Sequence, residues 1–257
     1  MTRHTVTLSA LALGSLAATF LLPAVPQPVA YHDFADHRAV AGVANFLDVV
    51  SNLGFLLAAV IGFAVVLRTG TCFEFRRERW PYMVFFAGML LTALGSAYYH
   101  LAPDNERLFW DRLPMVLAFM SLIAVQIVER VSVRAGLVLL GPLLLVGVSS
   151  VVYWLATERA GAGNVVPYGV LQASAVAALL LIVWLLPSRY TRGDDLYWVF
   201  AGYVVAKLFE IFDRQVLACG HLVSGHTLKH VAAAVAGLVV CRMLHLRALR
   251  APLPRRA

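Results

Sequence analysis

Apolar residues run along this chain in long unbroken blocks separated by short polar stretches. The strict apolar–polar alternation of a strand with one wet face is missing, which argues against a porin-like barrel. Eight blocks can be drawn, at residues 5–25, 46–67, 81–100, 113–129, 133–155, 167–187, 196–213 and 222–246. Each is near the ~20 residues that a helix needs to cross a bilayer's hydrocarbon layer. The pattern predicts an all-α integral membrane protein with eight transmembrane helices. The first block could also be a cleavable leader, since Arg3 precedes it and Pro23, Pro26 and Pro28 follow it. Cleavage after Ala30 or Ala24 would place Pro28 or Leu22 where a small residue is wanted, so a retained helix is expected.

Composition sharpens this picture. The chain has 257 residues, 61% hydrophobic and 14% charged, with a mean hydropathy of +0.78. Ordinary soluble domains carry about 25% charged residues, so a soluble enzyme and a disordered chain are both excluded. The net charge is +7. In a soluble protein such an excess would suggest nucleic acid, but here it follows the loops. With the N-terminus in the cytoplasm, fourteen Lys and Arg fall inside and five outside, while Lys207 and Lys229 lie within helices. Basic loops stay on the cytoplasmic side. Both termini are therefore expected in the cytoplasm. The three cysteines, Cys72, Cys219 and Cys241, form no CxxC pair, which gives neither a disulfide framework nor a thiolate zinc site.

Ionisable groups inside a bilayer are costly, so each is a candidate for function. Asp48, Lys207, Glu210 and Lys229 fall within the blocks; His100, Asp111, His226 and His230 lie near block ends. Ser51 and Asn52 interrupt the second block. His226 and His230, in HTLKH, are four apart and share one helical face. Catalytic zinc usually has three protein ligands and an open position. The eight-span topology brings His100, at the end of the third span, to the same outward depth. Ser96 lies one turn before His100. Asp111, in WDRLP, could orient a histidine or accept a proton; alternatively it caps the fourth helix or pairs with Arg112. Cys219 and His221 are rival ligands at that depth. Lys207, Glu210 and Lys229 can form an interhelical ion network of mainly structural role. Tyr98, Tyr99, Trp110, Tyr153, Trp154 and Trp198 suit interfacial belts. His32 and His37 are expected to be solvated.

These residues together resemble the CREST superfamily of membrane hydrolases, which includes alkaline ceramidases and progestin/adiponectin-receptor-like proteins. The resemblance rests on Ser96 and His100 in S-x3-H, on the downstream Asp111, and on the late H-x3-H of His226 and His230. The stretches VVSNLGFLLAAVIG, GSAYYHLAPDNERLFWDRLPM and SGHTLKHVAAAVAG are most similar to its bacterial ceramidase-like branch. The resemblance implies a seven-helix core over residues 31–246, preceded by an extra transmembrane helix or signal anchor within 1–30 and followed by a basic cytoplasmic tail, 247–257. It implies Zn2+ held by His100, His226 and His230, assisted by Ser96 and Asp111. It implies a bacterial inner-membrane protein with its site towards the outer face, acting on a membrane lipid substrate. Eukaryotic relatives also carry a calcium site near the first core helix, to which Asp33, Asp36, Asn45 and Asp48 correspond. Asn45 stands where that site has glutamate, so calcium is not carried over.

The chemistry so implied is hydrolysis of the amide of ceramide or a related N-acyl lipid, giving a fatty acid and a sphingoid base or amine. Asp111 would carry the proton and Ser96 would donate to the oxyanion. The alternative is a seven-transmembrane receptor-like protein whose zinc is structural, with Cys219 or Asp111 closing the fourth position. A proton-coupled transporter using Lys207, Glu210 and Asp48 ranks last, because no pair of Gly/Pro-broken helices marks a midplane site.

Overall fold

A computed structural model of the protein describes residues 3–250. Among these residues the structure is helical, with α1 Arg3–Leu21, α2 Phe46–Val50, α3 Leu53–Leu67, α4 Arg79–Leu101, α5 Asn105–Arg130, α6 Val133–Arg159, α7 Val166–Leu185, α8 Leu196–Ile211, α9 Asp213–Gly220 and α10 Gly225–Leu246. Six segments are long and apolar enough to cross a membrane: α2 with α3, α4 with the turn before it, α5, α6, α7 and α10. The apolar part of α1 is shorter. The expected 196–213 span is also cut short. α8 has 16 residues, about 24 Å of helix, and the chain breaks at Phe212. Asp213 opens α9, and its carboxylate accepts the Ala35 N–H at 2.9 Å and the His226 N–H at 2.7 Å.

Local sequence sets the other boundaries. α5 begins eight residues earlier than the 113–129 block because the Asp104 carboxylate accepts the Arg107 N–H at 2.7 Å, a typical N-cap. Asp111 is therefore inside a helix and caps nothing. Ser224 likewise caps α10 through the Thr227 N–H at 3.0 Å, which leaves His221 outside that helix. Ser51 and Asn52 do interrupt the second span, between α2 and α3. The Asn52 amide donates to the Asp48 carbonyl at 2.7 Å, which stabilises the break.

Helices α3, α4, α5 and α10 pack around a core that includes Phe86, Met120, Leu122 and Leu244. α7 packs on α5, and α8 on α10. α1 lies against α7, where the Ser174 hydroxyl donates to that of Ser15 at 2.6 Å. Leu57, Leu94, Val138, Leu145 and Trp184 are exposed outward, as a lipid-facing surface requires. Close approach of α4 to α5 depends on glycine. A Cβ on Gly95 would stand 1.9 Å from the Trp110 carbonyl oxygen, and one on Gly88 would stand 2.8 Å from the Ala118 nitrogen.

At the end of the bundle away from His100, Arg247 turns inward. It pairs with buried Glu129, which also accepts the Tyr82 hydroxyl at 2.6 Å. Its guanidinium lies 4.1 Å from the centre of the Tyr190 ring. Arg255 and Arg256 of the basic tail lie outside the described residues.

Candidate metal centre

The last turn of α4 and the first two turns of α10 meet at one end of the bundle. His100, His226 and His230 come together there, all buried, with one ligand nitrogen from each within 4.8 Å of the others. Their ring centres are 4.8, 5.0 and 4.8 Å apart. Three imidazoles bound to one tetrahedral ion at ordinary nitrogen–metal distances have ring centres about 5 Å apart. The triangle already has that size.

Hydrogen bonding distinguishes the ring nitrogens of the triad. The Ser51 hydroxyl donates to the Asp48 carbonyl at 3.1 Å and so can accept from His230 Nδ1 at 2.8 Å. This fixes the proton on Nδ1 and leaves Nε2 as the lone-pair nitrogen. His100 Nδ1 and His226 Nε2 are buried with no hydrogen-bond partner. Unsatisfied buried nitrogens are costly, and a metal ion would satisfy both. Among the described residues no fourth His, Cys, Asp or Glu joins the three, so a fourth position is left open. Cys219 and His221, the rival ligands, are exposed. His221 contributes its carbonyl oxygen to Arg38 instead, at 3.1 Å.

Neighbouring elements hold the triad. The Phe34 ring lies 4.6 Å from that of His100 and 4.4 Å from that of His226, covering both. Asn45 adopts left-handed backbone geometry at φ 47° and donates its side-chain amide to the His100 carbonyl at 2.8 Å; Asn tolerates that region better than most residues. Gly225 lets α10 approach α8, since a Cβ there would stand 2.2 Å from the Phe209 carbonyl oxygen. The sequence reading missed Phe34 and Asp213. It noted Ser51 and Asn45 without connecting either to a histidine.

Ser96 and Asp111 lie close to each other across the α4–α5 contact. Both line a cavity of about 460 Å3 that His230 also lines. The cavity is amphipathic along its length. Its lining runs from Ser96 to Phe85 on α4, Asp111 to Leu122 on α5, Tyr168 to Leu179 on α7, and Glu210 to Val199 on α8. Each pair spans eleven residues, about 16 Å of helix. Lys229 donates to Glu210 at 2.7 Å, and Lys207 pairs with the same carboxylate. This ion network forms part of the cavity wall, a placement that spacing alone did not reveal.

Other expectations need correction. Tyr99 and Trp154 are 1% and 0% exposed, so they face the interior and belong to no interfacial belt. Tyr98, Trp110, Tyr153 and Trp198 are exposed. His32 is half-buried and hydrogen-bonded to the Tyr99 hydroxyl at 2.9 Å and to Asn105 at 3.0 Å, whereas His37 is exposed. Arg112 lies within α5, and its guanidinium packs on aromatic rings, with no ion pair to Asp111 among the described residues. Each residue of the calcium comparison has a protein partner. Arg214 binds Asp33 at 2.6 Å, Thr227 binds Asp48 at 2.6 Å, and Asn45 holds His100. Arg38 binds Asp36 at 2.6 Å and holds its carboxyl below the usual carboxylate range through side-chain hydrogen bonds.

The sequence model of the Ceramidase family matches residues 32–252, which include all three histidines, Ser96 and Asp111. The chain belongs to the Ceramidase family. Curated proteins offer no match. For a member of the Ceramidase family, the membrane-length helices and the buried metal-ready triad support a multi-pass membrane hydrolase acting on lipid amides.

Proposed function

We propose that the protein is a zinc-dependent intramembrane hydrolase that cleaves the amide bond of ceramide or a related N-acyl lipid. One observation carries this reading: a buried three-histidine cluster with an open fourth position adjoins a hydroxyl–carboxylate pair on the wall of an amphipathic cavity. The acyl chain lies along the apolar residues towards Phe85 and Leu179, which brings the amide to the polar end.

The donor set suits zinc, which takes three neutral imidazoles and keeps a position for water or substrate. Bound zinc would polarise the carbonyl and make a water there more acidic. His100, His226 and His230 would hold it, and Ser51 fixes the orientation of His230. Asp111 accepts the proton of the attacking water and delivers it to the leaving nitrogen, which converts a poor amide leaving group into an amine. Ser96 donates to the oxygen that becomes negative as the carbonyl carbon turns tetrahedral. Phe34 keeps bulk water off two of the histidines, which strengthens charge interactions at the site.

Incubating purified protein with ceramide and other N-acyl lipids, and detecting released fatty acid by mass spectrometry, tests the reading. Ser96→Ala should retain zinc and lose roughly 10²–10³-fold in rate. Asp111→Asn should also retain zinc and lose typically ~10²–10⁴-fold. A zinc-loaded wild type that released no fatty acid from any lipid would favour the receptor-like alternative.

A further inference from the structure

Arg112 occupies a position that the hydrolytic mechanism leaves unused. It follows Asp111 on α5, is 5% exposed and lines the polar end of the cavity. Its guanidinium carbon lies 4.4 Å from the ring centre of Trp154, 4.7 Å from that of Tyr168 and 5.2 Å from that of Tyr31. Nη2 donates to the Gln27 side-chain oxygen at 2.8 Å. Nη1 is buried and has no partner. Among the described residues no carboxylate lies within ion-pairing distance of this group.

Other inward-facing cations are better satisfied. Lys229 has Glu210, and Arg247 has Glu129. Arg130 has no carboxylate but donates to Gln126 and to three backbone carbonyls. Arg112 has only one amide oxygen and three aromatic faces. Cation–π contacts offset part of the cost of burying a guanidinium, but a buried cation without a counter-charge remains unfavourable. The surrounding wall does not supply that counter-charge. Arg112, Lys207 and Lys229 stand against Asp111 and Glu210, so the polar end carries one positive charge in excess.

We infer that Arg112 is an anion-recognising residue of the cavity, and that it takes a carboxylate or phosphate on the amine side of the N-acyl lipid. This rests on the hydrolase reading for its orientation. With the acyl chain towards Phe85 and Leu179 and the amide at Ser96 and Asp111, the remaining substituent points at Arg112 and Gln27. A guanidinium presents paired N–H groups that match both anions. N-acyl lipids with an anionic group on the amine side, such as N-acyl amino acids or phosphorylated ceramides, are accordingly bound more tightly than their uncharged counterparts.

Binding to metal-depleted full-length protein in detergent micelles tests this without turnover. The probes are N-palmitoylglycine, its uncharged methyl ester, ceramide 1-phosphate, ceramide and free palmitate. Tryptophan fluorescence reads binding, and protein-free micelles correct for partition. Wild type should bind N-palmitoylglycine at least tenfold more tightly than the methyl ester. A matching advantage of ceramide 1-phosphate over ceramide identifies phosphate as a second accepted anion, and its absence restricts the site to carboxylates. Arg112→Gln should abolish the charge preference, and Arg112→Lys should retain part of it. Equal affinity for acid and ester in wild type overturns the inference, even if neither variant folds. So does an undiminished preference in folded Arg112→Gln. Free palmitate binding as tightly as N-palmitoylglycine, with the same dependence on Arg112, would assign the anion to the acyl product and refute the amine-side placement. In a parallel assay with zinc, charge-selective binding without cleavage would sink the hydrolase reading alone, while cleavage without charge selectivity would sink only the Arg112 subsite.

Discussion

Gly95 offers the sharpest test of how the bundle sets its chemistry. Replacing it with alanine puts a methyl group 1.9 Å from the Trp110 carbonyl oxygen, where ordinary contacts begin near 3.4 Å. The obstacle is backbone, so no side chain can swing aside, and α4 and α5 must part by about 1.5 Å. Ser96 and Asp111 are the next residues along on each helix, so that separation moves the hydroxyl and the carboxylate apart. A misplacement of about 1 Å at reacting groups can cost ~10²-fold, equivalent to about 2.7 kcal/mol of barrier. Overpacking should also destabilise the fold by about 1–3 kcal/mol. His226 and His230 sit on α10, and His100 is held by Phe34 and Asn45, so metal content should fall less than activity. Gly141→Ala is the control, since a methyl group there meets nothing within 4 Å. Fatty-acid release, zinc by mass spectrometry and thermal unfolding in detergent would be measured together. Full activity in a folded, zinc-loaded Gly95→Ala protein would refute the idea that this contact aligns Ser96 with Asp111.

Three further outcomes are expected. His226→Ala or His230→Ala should abolish stoichiometric zinc, because two ligands hold it poorly; His221→Ala should retain it, and Ser51→Ala should weaken zinc roughly 10–100-fold by freeing the His230 ring, as chelator competition would show. Arg247→Ala should destabilise the protein by about 3–5 kcal/mol, since Glu129 is left buried without its counter-charge, whereas Arg242→Ala, at an exposed ion pair, should leave the melting temperature nearly unchanged. Reporter fusions after Pro103 and after Arg214 should be exported and one after Arg77 retained, with the opposite pattern indicating inverted orientation.

How far sequence reached into this protein depended on whether a signal was local. HTLKH announces two members of the histidine cluster because both lie on one helical face, and GSAYYH announces the third once the pattern of spans sets its depth. The partner of His230, by contrast, is Ser51, 179 residues away, and nothing near either residue specifies the pair. Aromatic residues at helix ends look alike in sequence; Tyr98 faces outward and Tyr99 inward because adjacent helical positions differ by about 100°. Arg112 and Arg247 read as loop and tail charges. Both are buried because Trp154, Tyr168 and Tyr190, from distant segments, form the surfaces that receive them. α8 ends earlier than hydropathy suggested, and Asp213, which opens α9, finds backbone donors on two other segments.

The division of the triad between α4 and α10 also has a consequence for biosynthesis. His100 emerges from the ribosome with Ser96 and Asp111 close behind or ahead of it, but His226 and His230 follow only after α5 to α9 have been made. A nascent chain inserting helix by helix therefore has the hydroxyl, the carboxylate and one imidazole, and cannot hold a catalytic ion. On the proposed function, lipid hydrolysis would become possible only when α10 docks beside α3 and α8, and unfinished copies would be inactive. An ion held by the triad would tie α4 to α10 across a loop of more than one hundred residues, and its removal should then loosen the whole bundle rather than one corner of it.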